Sequence, residues 1–151
     1  MFYELQTFLI AMTPIFELRG SIPIALFQYN LSINSAFIFS VLGNIFSSII
    51  ILLFLDKVSM FLSQKSKLFN KFFEWLFSRT RRKHQKKYEK FKELFLVIFV
   101  AIPLPVTGAW TGSLCAFLFD IPFKKSFPLI SLGIIIAGII VTIISLGIKI
   151  I

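Results

Sequence analysis

Apolar residues gather along this chain into four long runs, at 5–30, 34–55, 94–119 and 126–151. Each run is near or above the ~20 residues that an α-helix needs to cross the hydrocarbon core of a bilayer. The runs 34–55 and 126–151 predict plain membrane-spanning helices, and the first is expected to end in water at Asp56-Lys57. The pattern predicts an all-α integral membrane protein.

One face of the first spanning helix is small and polar, with Ser40, Gly43, Asn44 and Ser47 at helical spacing. Small residues allow two helix backbones to approach closely in lipid, where no hydrophobic force drives helices together. The face therefore predicts helix packing, and it leaves open a role for the Asn44 amide in a polar pathway.

The other two runs are interrupted near their middle. In the first, Pro14 and Pro23 flank Gly20, and a proline removes a backbone donor and disfavours helix just before it. In the second, the sequence AIPLPVTGAWTG places Pro103 and Pro105 ahead of two glycines. The flanking arms have about 9–13 residues, or roughly 14–20 Å of helix, which is about half of a ~30 Å core. Each run therefore predicts a re-entrant helical hairpin with these four prolines as its structural breaks.

The two halves of the sequence share one order of elements: a hairpin, a short connector and a spanning helix. Gly20-Ser21-Ile22 aligns with Gly112-Ser113-Leu114. Because each half crosses the membrane an odd number of times, the second half is expected to be inverted. Irregular backbone at membrane depth is tolerated only inside protein or beside a watery cavity, so the two breaks should face each other. Interrupted segments at matching positions of two halves point to a transporter's substrate site.

The stretch between the halves is of a different kind. Lysines flank an apolar face at helical spacing, formed by Leu68, Phe69, Phe72, Phe73 and Leu76. This pattern predicts an interfacial amphipathic helix. The basic run RTRRKHQKK, Arg79 to Lys87, favours a cytoplasmic anchor on anionic lipids over a nucleic-acid site. We interpret His84 as a solvated member of this run, since no cysteine or second histidine accompanies it.

These elements predict a single membrane domain, 1–151, in three parts. Residues 1–56 form the first hairpin and spanning helix, 57–93 the cytoplasmic basic amphipathic segment, and 94–151 the second hairpin and spanning helix. No stretch rich in proline, glycine and serine divides the chain.

Composition supports a membrane protein, because 57% of the 151 residues are hydrophobic against about 45–50% in soluble domains. The net charge of +9 follows from the positive-inside rule. With both hairpins re-entrant, fourteen of the sixteen basic residues are cytoplasmic: twelve in 57–92, together with Lys124 and Lys125. The chain is then a multi-pass protein of the cell membrane with both termini outside. A signal peptide is not expected, and the single cysteine, Cys115, allows no intramolecular disulfide.

Charged residues and helix-breaking residues fall together at membrane depth in this sequence. The segments Glu17-Leu18-Arg19-Gly20-Ser21-Ile22-Pro23, Gly43-Asn44 and AIPLPVTGAWTG (101–112) resemble the small multidrug-export membrane protein family, a compact relative of the DedA/VTT-type membrane proteins. The resemblance covers nearly the whole chain. It implies paired re-entrant hairpins, proton-linked transport and flipping or scrambling of lipid carriers. The second hairpin departs from DedA-like proteins, which usually carry more charge there.

The candidate substrate or ion site is formed by Glu17, Arg19, Gly20, Asn44, Thr107, Gly108, Trp110, Thr111 and Gly112. A charge at the centre of a membrane costs about 2.5–3.5 kcal/mol on translocon scales, so Glu17 and Arg19 suggest function. Arg19 offers a planar donor fork to a phosphate or carboxylate, and Glu17 can carry a coupling proton. A mutual ion pair that merely holds the hairpin is the alternative.

The second break contributes backbone N–H groups between Thr107 and Gly112, which suit an anion. The hydroxyl groups of Thr107 and Thr111 add donors. Trp110 is either a stacking wall for an amphiphile or a packing residue, and the sequence favours neither.

The sequence thus predicts a small transporter, coupled to protons or another ion, that moves an amphiphilic or anionic molecule between the two hairpin tips. The alternative is a DedA-like flippase or scramblase of lipids or lipid phosphates. An enzyme is not expected, because no nucleophile–base pair or metal cluster is evident. No metal and no cofactor are predicted. Expected partners are the bilayer and the substrate, and two spanning helices are so few that a homodimer is plausible.

Overall fold

The computed structural model describes residues 2–65, 71, 74–75, 86–104 and 107–150. Six helices follow one another within these ranges: α1 (Phe2–Met12), α2 (Glu17–Phe27), α3 (Ile33–Lys65), α4 (Lys86–Ala101), α5 (Ala109–Leu118) and α6 (Phe123–Ile150). The prediction of an all-α chain is therefore confirmed for this part. Outside it lie Pro105, the five residues of the predicted apolar face between 68 and 76, and the basic residues 79–85 with His84.

Two helices contain segments long and apolar enough to cross a bilayer, Ile33–Val58 in α3 and Phe123–Ile148 in α6. Each segment has 26 residues, which extend ~39 Å and exceed a hydrocarbon core of about 30 Å. Only 39% and 44% of their most apolar stretches are buried. Their exposed faces carry large apolar side chains, among them Leu42, Phe46 and Ile139. Such exposed faces suit lipid, since soluble monomers rarely leave a large apolar patch in water.

The first spanning helix is longer than the sequence predicted. α3 continues past Asp56-Lys57, the expected end, as far as Lys65. Charged residues at the end of a membrane span do not stop a helix, and no glycine or proline occurs between Gly43 and Pro103. The start of the basic segment 57–93 is therefore a continuation of α3, and Asp56-Lys57 does not end that helix.

The short helices are separated by two breaks, at residues 13–16 and 102–108. Pro14 lies in the first break and Pro103 in the second, as predicted. Pro23 was also predicted to break the chain, but it lies inside α2. A proline within a helix removes only one intrahelical hydrogen bond, and neighbouring helices can satisfy the freed carbonyl in a membrane protein. The helices beside the first break, α1 and α2, have 11 residues each, or about 16 Å.

Each long helix packs closely on the helix that precedes the break of its own half. A Cβ added at Gly43 of α3 would meet the backbone carbonyl oxygen of Phe8 in α1. A Cβ added at Gly133 of α6 would lie 3.0 Å from the carbonyl oxygen of Val97 in α4. Glycine therefore brings a long helix against the backbone of its neighbour in both halves.

The core lies where the two halves meet. α3 contacts α5 and α6, while α2 contacts α6. The largest fully buried apolar side chains come from three helices, α2, α4 and α6: Ile22, Leu96, Ile130 and Ile134. This packing brings both breaks to the centre of the described structure.

Candidate functional site

The first break ends in a strained residue that is buried. Glu17, the first residue of α2, has a φ of +43° and is 4% exposed. A non-glycine residue in the left-handed region is uncommon and costs of order 1–3 kcal/mol, so it persists only where surrounding contacts hold it. For Glu17 those contacts come from Arg19 and from the other half of the chain.

The carboxylate of Glu17 lies at the N-terminus of α5. Its Oε1 accepts a hydrogen bond of 3.1 Å from the backbone N–H of Trp110, 93 residues further along the chain. A helix N-terminus carries unpaired N–H groups and a partial positive charge, which together favour an anion. The residue before α5, Gly108, has no side chain with which to cap this helix. Glu17 therefore supplies a cap from the opposite break.

Position 108 requires glycine for two reasons, its backbone conformation and the lack of space for a side chain. Its φ of +148° belongs to the region that favours glycine. A Cβ at this position would lie 2.7 Å from the Cδ and 2.9 Å from the Oε1 of Glu17. Any side chain here would push the carboxylate away from α5.

Arg19 connects the same carboxylate to the second break. Its Nη2 lies 3.1 Å from the Oε2 of Glu17 and donates to the carbonyl oxygen of Thr107 at 2.8 Å. Its Nη1 donates to the carbonyl oxygen of Leu104. These carbonyl groups lie in irregular backbone, where no helix satisfies them. The donor fork of Arg19 is thus engaged by groups of this protein.

Two further contacts order the breaks. The hydroxyl of Thr107 accepts a hydrogen bond of 3.1 Å from the backbone N–H of Leu104 and donates at 2.5 Å to the carbonyl oxygen of Ile102. The indole Nε1 of Trp110 donates at 3.0 Å to the carbonyl oxygen of Met12, the last residue of α1. Thr107 therefore satisfies backbone groups of its own break, and Trp110 acts as a hydrogen-bond donor to the end of α1 in the other half.

A small cavity of about 10 Å³ lies between the breaks. Its polar lining is provided by Glu17, Arg19, Asn44, Thr107 and Gly108, and α6 closes it with apolar side chains. Asn44 projects from near the middle of the apolar segment Ile33–Val58 of α3 and is 2% exposed. Its Oδ1 has no hydrogen-bond partner among the described residues.

The structure thus places five of the nine predicted site residues around one cavity and adds Trp110 through its backbone N–H. Gly20, Thr111 and Gly112 do not line it. Gly20 packs on Phe16, and Gly112 packs on Val100. Thr111 lies in the first turn of α5, with its hydroxyl 3.5 Å from the carbonyl oxygen of Gly108.

Sequence reasoning missed the carbonyl groups of Met12 and Leu104 as partners of the site. It also missed Ile134 and Ala137, which close the cavity from α6. Backbone carbonyls carry no side-chain signature, so only the position of a break could have suggested them. An anion was expected at the N–H groups between Thr107 and Gly112, and the group found there is the carboxylate of Glu17.

The chain matches the model of a known protein family. The model of the family described as "Putative small multi-drug export protein" matches residues 17–140. The matched region begins at Glu17, contains the whole of the first long apolar segment, Ile33–Val58, and ends within the second, Phe123–Ile148. The two long apolar helices and this match together indicate a membrane protein. No curated protein and no solved structure matches the chain.

Proposed function

Because the chain belongs to the small multi-drug export family, we propose that it is a membrane transporter whose substrate passes between the two breaks. We propose further that the substrate is an amphiphilic or anionic small molecule and that Glu17 carries a coupling proton. The proposal assigns no chemical reaction to the site. The observation that carries it is the buried Glu17–Arg19 pair at the meeting of the breaks.

Burying the charges of Glu17 and Arg19 has a large desolvation cost. Side-chain exposure is 26% for Arg19 and 5% for Glu17, so both charges are largely removed from water. The desolvation penalty of a buried ion pair can exceed its Coulombic gain, so such a pair is weak support for stability alone. For this reason, an ionisable residue within the membrane is first interpreted as part of a functional site.

The described arrangement corresponds to a closed state in this proposal. A cavity of about 10 Å³ is far below the roughly 300–1,000 Å³ of pockets that hold small molecules. The two breaks must therefore separate for a substrate to enter. Separation frees the guanidinium of Arg19 and the N–H groups at the start of α5, which together suit a carboxylate or phosphate.

Glu17 and the substrate would then compete for the same donors. The ionised carboxylate holds the breaks together by accepting from Trp110 and Arg19. A proton on Glu17 removes its charge and weakens both interactions, which leaves the donors for the incoming anion. Binding of a proton and binding of an anion are thereby linked, and this linkage is the basis of coupled transport.

We also propose the inverted arrangement of two re-entrant hairpins for this site. The matched approach of Gly43 to α1 and of Gly133 to α4 supports it, as does the crosswise packing of α3 on α5 and of α2 on α6. The helices α1, α2 and α5 are each too short to cross a hydrocarbon core.

The lipid-scrambling alternative fits the surface less well. A scramblase needs a hydrophilic groove that opens to lipid. The groove between α1 and α3 is lined mainly by apolar residues, among them Phe2, Leu5, Phe8 and Phe39. Glu4 is the one charged residue among the described residues that line it. A carrier with an occluded site is therefore preferred.

Flux in proteoliposomes tests the proposal. An outwardly or inwardly directed pH gradient should drive uptake of anilinonaphthalene sulfonate, an anionic amphiphile, and Glu17→Gln, assayed below its melting temperature so that it is folded, should abolish that uptake. Ser48→Ala is the matched control, since this buried hydroxyl on α3 bonds to its own helix at Ile45 and does not line the cavity. Unchanged uptake with Glu17→Gln would remove Glu17 from the mechanism.

Two further probes separate the alternatives. Ethidium, a cation of comparable size, should not compete with the anion, and preferred transport of ethidium would overturn the proposed substrate class. Fluorescent phosphatidylglycerol should stay in its leaflet when no gradient is applied. Rapid exchange of that lipid between leaflets would favour the scramblase instead.

A further inference from the structure

The buried side-chain amide of Asn44 lacks a hydrogen-bond donor for its oxygen. Its Oδ1 has no partner among the described residues, although the side chain is 2% exposed. A buried acceptor left without a donor costs about 1–3 kcal/mol. Buried polar side chains therefore nearly always have a protein or water partner.

The cavity beside Asn44 has the size of one water molecule. Its volume of about 10 Å³ is close to the roughly 10–15 Å³ that a single water needs, and such a water also needs 2–4 polar partners. Glu17 and Arg19 face the same space as Asn44. A water can donate one hydrogen to the Oδ1 of Asn44 and the other to the carboxylate of Glu17, and it can accept from Arg19.

We propose that this cavity is a binding site for one ordered water, which bridges Asn44 and Glu17 and exchanges the proton of Glu17. A proton that reaches this water passes to a carboxylate oxygen of Glu17, which leaves a neutral water and a neutral carboxyl. The reverse transfer restores the carboxylate and returns the proton to the water. The surrounding aqueous phase supplies and removes the proton.

The charges around the cavity favour water over a metal cation. Glu17 and Arg19 are the ionisable residues among the described residues that line it, and α3, α4, α5 and α6 contribute neutral side chains there. The guanidinium lies 3.1 Å from the carboxylate and already compensates its charge. A cation such as sodium would meet the repulsion of Arg19.

The position of Asn44 gives the water a role beyond filling space. Glu17 already accepts from the backbone N–H of Trp110 and from Arg19, and neither a peptide N–H nor a guanidinium acts as a proton-transfer group in proteins. The bridging water is then the one neighbour that can carry a proton to the carboxylate. Asn44 acts as a positioning residue, because it holds the water without itself exchanging a proton.

Infrared spectroscopy of the full chain in lipid nanodiscs tests this inference without a substrate. At a pH low enough to protonate Glu17, its carboxyl band is assigned by its loss in Glu17→Gln, and the hydrogen–deuterium exchange of this carboxyl group is followed after transfer to heavy water. Asn44→Leu should slow the exchange on the order of 100-fold, the scale of a positioned proton-transfer group. Asn44→Ser keeps an oxygen and leaves room for water, so it should exchange nearly as fast as the wild type.

Ser48→Ala is the matched control, since it removes a buried hydroxyl of α3 that does not face the cavity. Wild-type exchange in Asn44→Leu would overturn the inference. A shift of the carboxyl band in sodium chloride but not in choline chloride would place a cation in the cavity and would also overturn it. If Asn44→Leu does not fold, a crystal structure of the wild-type chain in a lipid phase decides. Density for one water between Asn44 and Glu17 supports the site, and an empty cavity excludes it.

The inference deepens the proposed function, yet the two can fail separately. Slow exchange in Asn44→Leu together with pH-driven uptake that survives Glu17→Gln would keep the water site and remove the coupling role. Fast exchange in Asn44→Leu with uptake lost in Glu17→Gln would do the opposite.

Discussion

The two breaks occupy matching positions in the halves of the chain, but they carry different chemistry. The break at 13–16 leads directly into two charged residues, Glu17 and Arg19. The break at 102–108 has no charged residue and contributes backbone groups: carbonyl oxygens at Leu104 and Thr107, and the N–H of Trp110 beyond it. One break supplies charges, and the other supplies the dipoles that stabilise them.

This difference explains how irregular backbone can exist in the interior of the protein. Unsatisfied backbone groups in hydrocarbon cost several kcal/mol each, and a buried charge is also costly. At the contact between the breaks each group offsets the cost of another, because carbonyls accept from Arg19 and an N–H donates to Glu17. Two identical breaks could not do this, since two carboxylates or two guanidinium groups would repel.

Side-specific labelling should give the largest effect, because its outcome is all or none. In a Cys115→Ser background, cysteines at Gln28 and at Lys124, both exposed positions, should be labelled from opposite faces of the membrane. Re-entrant breaks place these two connections on opposite sides. Labelling of both from the same face would mean that the second interrupted run crosses the membrane fully, and the comparison of two re-entrant breaks would fail.

Removing one charge of the first break should destabilise the protein strongly. Glu17→Gln or Arg19→Gln alone leaves a buried charge without its partner, which costs about 3–5 kcal/mol, whereas replacing both is often nearly neutral. Thermal unfolding of the four variants in detergent measures this. If the double variant Glu17→Gln, Arg19→Gln is as unstable as the worse single variant, the pair is not the unit that joins the breaks.

The function of the pair can be separated from its stability in the same series. Arg19→Lys keeps the charge but loses the planar fork, so binding of anilinonaphthalene sulfonate should weaken while the protein stays folded. Intact binding by a stable Arg19→Lys would defeat the anion site. A double glutamine variant that is stable but inactive would favour a functional site over a purely structural pair.

A side chain at Gly108 should damage the second break. Gly108→Ala forces a side chain into a φ of +148°, which costs of order 1–3 kcal/mol, and its Cβ displaces the carboxylate of Glu17 from α5. Gly147→Ala is the control, since nothing lies within 4 Å of a Cβ at that position. We expect a lower melting temperature for Gly108→Ala only. Equal melting temperatures would show that α5 does not depend on the cap from Glu17.

Loss of the indole donor should have the smallest effect. Trp110→Phe keeps the aromatic volume but removes the hydrogen bond to the carbonyl oxygen of Met12, which contributes about 1 kcal/mol. Thr111→Val serves as the control, because its hydroxyl lies 3.5 Å from its nearest acceptor, Gly108. A melting temperature for Trp110→Phe at or above that of the wild type would indicate that Trp110 only packs.

Some elements could be predicted from the sequence correctly, and others could not. The long apolar runs predicted α3 and α6, because helix length in a bilayer follows from hydrocarbon thickness. The predicted break at Pro14 is present, but the prediction of a break at Pro23 was wrong. Both prolines lack a backbone N–H and restrict their own backbone in the same way. Pro14 lies in the irregular stretch 13–16, whereas Pro23 lies within a helix that neighbouring helices surround. Local helix propensity cannot distinguish the two prolines, because the difference lies in the helices that surround them.

Local composition and spacing were enough to predict the helical class, the two breaks and the charge beside the first. Which groups meet depends on how the helices pack: Glu17 with the N–H of Trp110, Arg19 with the carbonyl of Thr107, and Asn44 with the cavity between them. Sequence patterns could not predict these pairs, because backbone donors and acceptors are the same at every residue. Their partners are chosen by the packing of helices roughly ninety positions apart in the chain, and no pattern of side chains records that choice.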